Sequence, residues 1–252
     1  MSADNPGPVT RLVDIVFPGD TNHHGTLFGG VGLSHMDKVA FIAASRHGRV
    51  DFVTASCERI DFAAPARLGE IVELTGRLVR VGRRSVSAAV ELHAEALLTG
   101  ERRLCTRGVF NMVAVGVEAG ATLPPLQPDG GDDGVFRMVE MVFPQQLSHY
   151  GTLYGGNALA AMGKAAFITA TRHARKPIVM AATREVNFTH AIGQGEVMEL
   201  VPRVEATGRS SMTIAIDLWS EDLLAGTRRL CGQGSFVMVA VDENQRPVPI
   251  DG

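Results

Sequence analysis

The 252-residue chain is written twice. VFPGDTNHHGTLFGG at 16–30 returns as VFPQQLSHYGTLYGG at 142–156, an offset of 126 residues. The same offset aligns Arg46-His47 with Arg172-His173, Gly69-Glu70 with Gly195-Glu196 and Gly82-Arg83 with Gly208-Arg209. It still holds at Leu104-Cys105 against Leu230-Cys231, and no gap is needed from 11 to 115. Over 11–47, 20 of 37 positions are identical, so the match is a duplication and not a shared composition. Two copies of a domain-sized unit exclude a solenoid, whose repeats are short and cannot fold singly. Between the copies lies GVEAGATLPPLQPDGGDDG, rich in Gly, Pro and Asp and poor in large apolar residues, which reads as an exposed linker. The expected organisation is a domain at 8–116, a linker at 117–134 and a second domain at 135–246.

Each copy predicts one order of elements. Residues 10–17 alternate in polarity and stop at Phe-Pro-Gly, a strand closed by a turn. From Leu27 to His47 there is no proline, and apolar residues lie nearly all round a helical projection, which predicts a helix buried on most sides. Four Val-, Ile-, Thr- and Phe-rich runs follow, at 51–63, 69–81, 84–95 and 103–115. One strand, one helix and four strands, twice, is an α+β chain in which each sheet wraps its own helix, and two such sheets could pair edge to edge.

Composition excludes classes without naming a function. A net charge of −3 and a pI near 6.2 leave no electrostatic footprint for nucleic acid. No apolar run reaches the roughly 18 residues that span a bilayer, and MSADNPGPVT is not a signal peptide. Cys57, Cys105 and Cys231 are too few and too scattered for a disulfide framework or a zinc site. The expectation is a cytoplasmic protein with free thiols, no metal, no nucleic-acid partner and no membrane.

Asp37 is the strongest chemical clue. At helical spacing its neighbours are Gly30, Leu33, Ser34, Ala40, Phe41 and Ala44, all apolar or small. A carboxylate there is either paired with adjacent Lys38 or functional. Lys38 points about 100° away around the helix, which favours function. In the second copy Asp37 becomes Gly163, while Thr54 becomes Met180 and Asn22 becomes Ser148. One copy retaining a costly acid and the other losing it predicts one active site per chain, although neutral drift of a surface site would give the same changes. The GTLFGG and GTLYGG segments open the two helices, where free N–H groups can bind a developing oxyanion or simply ease entry of the helix into its sheet. No GK[ST] follows to make them phosphate loops. His23, His24 and His149 lack metal-ligand spacing and stand as weak acid–base candidates. His47 and His173 suit helix C-termini. No GxSxG elbow is present, and Cys105 and Cys231 occupy matching strand positions that point to packing. Arg83 and Arg209, at Gly-Arg turns, are either solvated turn residues or contacts for a phosphate-bearing ligand.

The string NHHGTLFGG followed by MDKxA, then VTASxxxIDF and GRxS, resembles an acyl-CoA thioesterase of the hotdog-fold superfamily, and the two copies resemble its double-hotdog form. The resemblance implies an antiparallel sheet around a central helix in each repeat, with a site at the interface of the two repeats. It matches the family's acid to Asp37 and its helper hydroxyl to Thr54. The second copy supplies the Gly155 N–H as oxyanion donor, with Ser148 where the family carries Asn or Gln. The reciprocal combination of Asn22 and Gly29 with Gly163 and Met180 lacks acid and hydroxyl and is expected to be dead.

The implied reaction is hydrolysis of an acyl-CoA to free acid and CoA, without a cofactor. Asp37 acts as general base on water or as a nucleophile forming an anhydride, and Arg83 and Arg209 are placed to hold CoA phosphates. Family habit implies a homo-oligomer, three chains forming a ring of six hotdogs. Two alternatives share the fold: an acyl-thioester dehydratase or hydratase, and a non-catalytic acyl-CoA-binding regulatory protein.

Overall fold

The computed structural model describes residues 9–118, 120–126 and 135–250. Residues 119 and 127–134 of the expected linker, and residue 8 of the first expected domain, lie outside them. The chain divides into two compact units. The first is built on copy one without Ala96–Glu101 and takes in Leu223–Gly226; the second is built on copy two without Leu223–Gly226 and takes in Ala96–Glu101.

In the first unit β1 (Thr10–Ile15) leads through a single 3-10 turn at Pro18–Asp20 into α1 (Gly29–Gly48). Then come β2 (Asp51–Phe62), β3 (Ile71–Val81), β4 (Ser85–Glu95) and β5 (Arg102–Val115). The second unit repeats this with β6 (Met138–Met141), a 3-10 turn at Pro144–Gln146, α2 (Gly155–Ala174), β7 (Ile178–Phe188), β8 (Val197–Thr207), β9 (Ser211–Glu221) and β10 (Arg228–Ala240). Each sheet is antiparallel and five-stranded, ordered β1-β3-β4-β5-β2 and β6-β8-β9-β10-β7. Each helix touches every long strand of its own sheet, so the sheet curls around it as the hotdog resemblance implies. The element order expected from sequence holds in both copies, with ends within two residues.

The packing between helix and sheet explains a difference between the copies. Gly76 on β3 faces α1 so closely that a Cβ there would lie 2.5 Å from Val39 Cγ1. In the second unit these positions hold Pro202 and Ala165. The extra bulk has moved from helix to strand, which keeps the layer filled. Proline has no N–H to give a neighbouring strand. Thr10 pairs with Gly76, but the β6 ladder begins only at Met138, opposite Leu200, so β6 has four residues where β1 has six.

Candidate active site

The segment entering α1 is tied down by Asn22. Its Oδ1 accepts the N–H groups of His24 at 2.9 Å and Thr26 at 3.4 Å, and its Nδ2 donates to Thr26 Oγ1 at 3.0 Å. These bonds close a turn before the helix. Ser148 makes the shorter version, its Oγ accepting the Tyr150 N–H at 3.3 Å. Phe28 and Tyr154 cap the two helices in extended backbone conformation with no side-chain bond to the first turn. Among the described residues, the N–H groups of Gly29 and Gly155 have no hydrogen-bond partner, as the first turn of a helix permits.

An apolar cavity opens beside each helix start. The one of about 280 Å³ next to Gly29 is walled by Leu27, Phe62, Pro65, Leu92 and Cys105. Its counterpart next to Gly155, about 310 Å³, lies among Leu153, Phe188, His190, Ile192 and Leu218. Two ion pairs, whose glutamates Glu70 and Glu196 stand at matching positions of the repeat, brace the segments that carry lining residues Pro65 and Ala191. Glu70 accepts from Arg103 Nη1 at 2.9 Å and from the Arg67 N–H at 2.7 Å, while Arg103 Nη2 reaches the Pro65 carbonyl at 2.7 Å. Glu196 accepts from Arg229 at 2.9 Å and from the Gly193 N–H at 3.1 Å, and it also accepts the Ser220 hydroxyl. Burial pushes Glu70 up, but Arg103 and the Arg67 N–H outweigh it and hold the carboxyl below its usual range.

Asp37 stands about two turns into α1. The expected setting on a buried face needs correction: Ala40 and Ala44 are buried, but Leu33 and Phe41 are half-buried and Ser34 is exposed. The same data amend the helix expected to be buried on most sides, since its outer flank is open. Asp37 therefore sits half-buried at the seam between α1 and β2. There Thr54 Oγ1 donates to Asp37 Oδ1 at 2.5 Å. Thr54 is opposite Met112 on β5, and the ladder slips by one residue immediately afterwards, before Ser56. Such a bulge re-aims the strand's side chains, and here it accompanies the turn of Thr54 toward the helix. Among the described residues Oδ2 of Asp37 has no partner.

In the second unit Gly163 is buried and Met180 takes the place of Thr54, with its terminal methyl 2.9 Å from where a Gly163 Cβ would be. Neither acid nor hydroxyl remains there.

The remaining candidates separate clearly. His23 and His24 are exposed and pack on each other at 3.8 Å, and His149 packs on Tyr150 at 3.9 Å. His47 Nε2 lies 2.9 Å from the Pro124 carbonyl, tying the end of α1 to the segment after β5. Cys105 and Cys231 are buried, and burial pushes both thiols up, which keeps them protonated. Arg83 and Arg209 are exposed on the β3–β4 and β8–β9 turns. Their carbonyls accept the N–H groups of Leu123 and Ile250 at 2.9 and 2.8 Å. Thr54, Met112 and Val86 form one row across the first sheet, and Arg83 stands three residues before Val86 at that end. The matching row is Met180, Met238 and Met212, with Arg209 at its end. Among the described residues no group of His, Cys, Asp and Glu could hold a metal ion, and no helix is long and apolar enough to cross a membrane.

Comparison with known proteins agrees with this architecture. A family model described as the thioesterase superfamily matches residues 24–100 and again 150–226. An acyl-CoA hydrolase of known structure from Agrobacterium tumefaciens is 51% identical, with a TM-score of 0.88 over 99% of this chain and 100% of that one. The cytosolic acyl coenzyme A thioester hydrolase of Rattus norvegicus is 22% identical over 97% of this chain and 77% of that protein. The acyl-CoA thioester hydrolase YciA of Escherichia coli is 34% identical and aligns over its whole length with 50% of this chain, as a single-copy relative of a duplicated chain should. Two matched segments in two like units, together with a full-length relative at 51% identity, show that the chain belongs to the thioesterase superfamily.

Proposed function

We propose that the chain hydrolyses acyl-CoA thioesters to a free acid and CoA, with Asp37 activating the attacking water. The observation that carries this is the Thr54–Asp37 hydrogen bond. It fixes one carboxylate oxygen and leaves the other open at an exposed seam, where it can take a proton. The water oxygen bonds to the thioester carbonyl carbon as its proton passes to Asp37 Oδ2. The negative charge on the carbonyl oxygen is met by a helix-start N–H of the kind that Gly155 offers unpaired. Collapse breaks the C–S bond, and the proton moves from Asp37 to the CoA sulfur.

Ser148 spends only an oxygen lone pair on Tyr150, so its hydroxyl proton is free to donate to the same carbonyl oxygen. Asn22 is engaged by its own turn and acts as a positioning residue for the segment before Gly29. Arg83, at the end of the row that holds Thr54, receives the CoA phosphates; Arg209 occupies the matching place on the half without the acid. One live site per chain follows from Gly163 and Met180. The protein works in the cytoplasm, as the rat relative's name states of that protein, and as a homo-oligomer.

The test is release of free thiol from a panel of short to long acyl-CoAs by the wild type and by Asp37→Asn. Turnover by the wild type, lowered at least about a hundredfold in Asp37→Asn, is the expected result. Binding of CoA esters with no turnover by the wild type would replace the enzyme with a binding protein.

A further inference from the structure

The apolar cavity beside Gly155 carries two polar side chains on its wall, Thr189 and His190. Both are exposed, at its mouth, while Ala158, Ile192 and Leu218 are buried at its depth. The fold requires neither polar residue. In the first unit the same positions hold Ala63 and Ala64. The backbone is the same in both copies. The N–H groups of Thr189 and His190 reach the Cys231 carbonyl at 2.8 and 3.3 Å, and those of Ala63 and Ala64 reach the Cys105 carbonyl at 2.8 and 3.3 Å. Thr189 and His190 are therefore side chains added to an unchanged frame, beside the helix start whose N–H serves the hydrolytic function above.

Hydrogen bonding fixes the tautomer of His190. Its Nδ1 lies 3.2 Å from the Leu230 carbonyl oxygen and 3.1 Å from Thr189 Oγ1. A carbonyl can only accept, so the ring proton is on Nδ1 and is shared between these two oxygens. Thr189 gives its own hydroxyl proton to the Leu230 carbonyl at 3.5 Å. Both side chains are thus turned back to the backbone. What remains is Nε2 at the far edge of the ring, a lone pair with no partner among the described residues. The mount is braced, because Arg229 Nη2, paired with Glu196, donates to the carbonyl of the next residue, Ala191, at 3.0 Å.

We propose that His190 is a specificity-determining residue: its Nε2 accepts a hydrogen bond from a hydroxyl on the acyl group, which makes hydroxyacyl-CoA thioesters the preferred substrates. The walls suit hydrocarbon, and the one uncommitted side-chain acceptor among them selects what that hydrocarbon carries. A plain acyl chain entering the cavity strips water from Nε2 and returns nothing. A hydroxyl loses its own water as well, but pairs with the nitrogen. An acyl carboxylate is not selected, because an unprotonated Nε2 meets it with a lone pair. At an exposed mouth the nitrogen keeps part of its hydration, so the expected discrimination is about five- to tenfold, far below the roughly 10⁴-fold of a fully buried polar site.

This proposal rests on the hydrolytic function above, and matched pairs of substrates separate the two. Butyryl-, hexanoyl- and octanoyl-CoA are compared with the same esters hydroxylated at the second, the third or the terminal carbon. Thiol release by the wild type is expected to show kcat/KM about five- to tenfold higher for the hydroxylated member at one of these carbons. His190→Leu keeps the bulk and removes the acceptor, and should bring that ratio to about one. His190→Gln offers an amide oxygen and should recover part of the preference. A merely structural role would lower both members of each pair alike and leave the ratio where it was. Calorimetry on Asp37→Asn, in which the esters persist, gives a readout without turnover. The hydroxylated ester should bind with a Kd lower by the same factor, and adding His190→Leu should abolish the difference. A wild type that treats every pair alike, or a preference that survives His190→Leu, would overturn the assignment and leave the hydrolase intact. Release of no thiol from any ester would overturn the hydrolytic function instead, and the Kd ratio would still decide the role of His190.

Discussion

The terminal methyl of Met180 stands 2.9 Å from the place a side chain on Gly163 would begin. In the first unit the equivalent positions are Thr54 and Asp37, joined by a 2.5 Å hydrogen bond. The two substitutions that separate the copies are therefore one event in space. The acid is gone, and a flexible thioether lies across its position. Surface drift gives no reason for both members of a contacting pair to change together.

Rebuilding that pair should rebuild a site. In an Asp37→Asn background, which silences the first unit, Gly163→Asp with Met180→Thr is expected to restore thiol release from acyl-CoA. Gly163→Asp alone is expected to remain silent, because the methionine methyl obstructs the new carboxylate and no hydroxyl holds it. If the triple variant melts like its parent and still releases no thiol, the second unit lacks more than these two groups.

Thr54 touches Asp37 and only holds it, so its loss should slow the chemistry without loosening the substrate. Thr54→Val keeps the shape and removes the donor. A hydrogen bond to a charged group is worth about 1.5–3 kcal/mol, which corresponds to a fall in kcat of roughly tenfold or more. KM is expected to stay within about twofold, and Thr54→Ser to recover most of the rate. A rise in KM with kcat unchanged would make Thr54 a binding residue instead.

Much of this architecture is legible in the sequence. The 126-residue offset placed both helices and all ten strands, because a duplicated pattern offers each element twice and an error in one copy is exposed by the other. Asp37 stood out as an acid among apolar and small helical neighbours, and Thr54 because it changes in step with Asp37 between the copies. The half-burial of Asp37 was not legible, since a helical projection shows which residues share a face and not where the curling sheet stops covering it. Glu70 and Glu196 were visible only as aligned letters. Their arginine partners lie 33 residues on, across the sheet, and no local spacing announces a cross-strand ion pair. The short β6 has a cause in Pro202, which sits in another strand some sixty residues away.

Arg83 and Arg209 are chemically alike and sit on matching turns, but only Arg83 ends the row that contains Thr54. If arginine at this turn holds CoA phosphates for the live half, Arg83→Ala should raise KM for acyl-CoA about five- to tenfold with little change in kcat, as expected for a contact made equally in ground and transition states. Arg209→Ala should change KM by less than about twofold. The comparison is made with CoA thioesters and with the same acyl group on pantetheine, which has no phosphate. On pantetheine esters both variants should match the wild type, and equal effects of the two alanines on the CoA ester would remove the assignment.

Glu70 couples the cavity wall to pH. Its carboxylate is held below the ordinary 4.5 because Arg103 and the Arg67 N–H outweigh the effect of burial. A group whose pKa is lowered by folding stabilises the folded state when ionised in both states, so its contribution is complete above the unfolded pKa and fades as pH falls through the folded one. Both side chains are mostly buried, at 11% and 25% exposure, so solvent screens the pair only in part. Glu70→Gln is therefore expected to lose about 2 kcal/mol at pH 7 by urea unfolding. The gap between variant and wild type should narrow steadily below about pH 4.5 and close once Glu70 is protonated in the folded wild type. A gap that stays constant down to pH 3 would mean that the glutamine disturbs packing and that the charge on Glu70 contributes nothing to the wall.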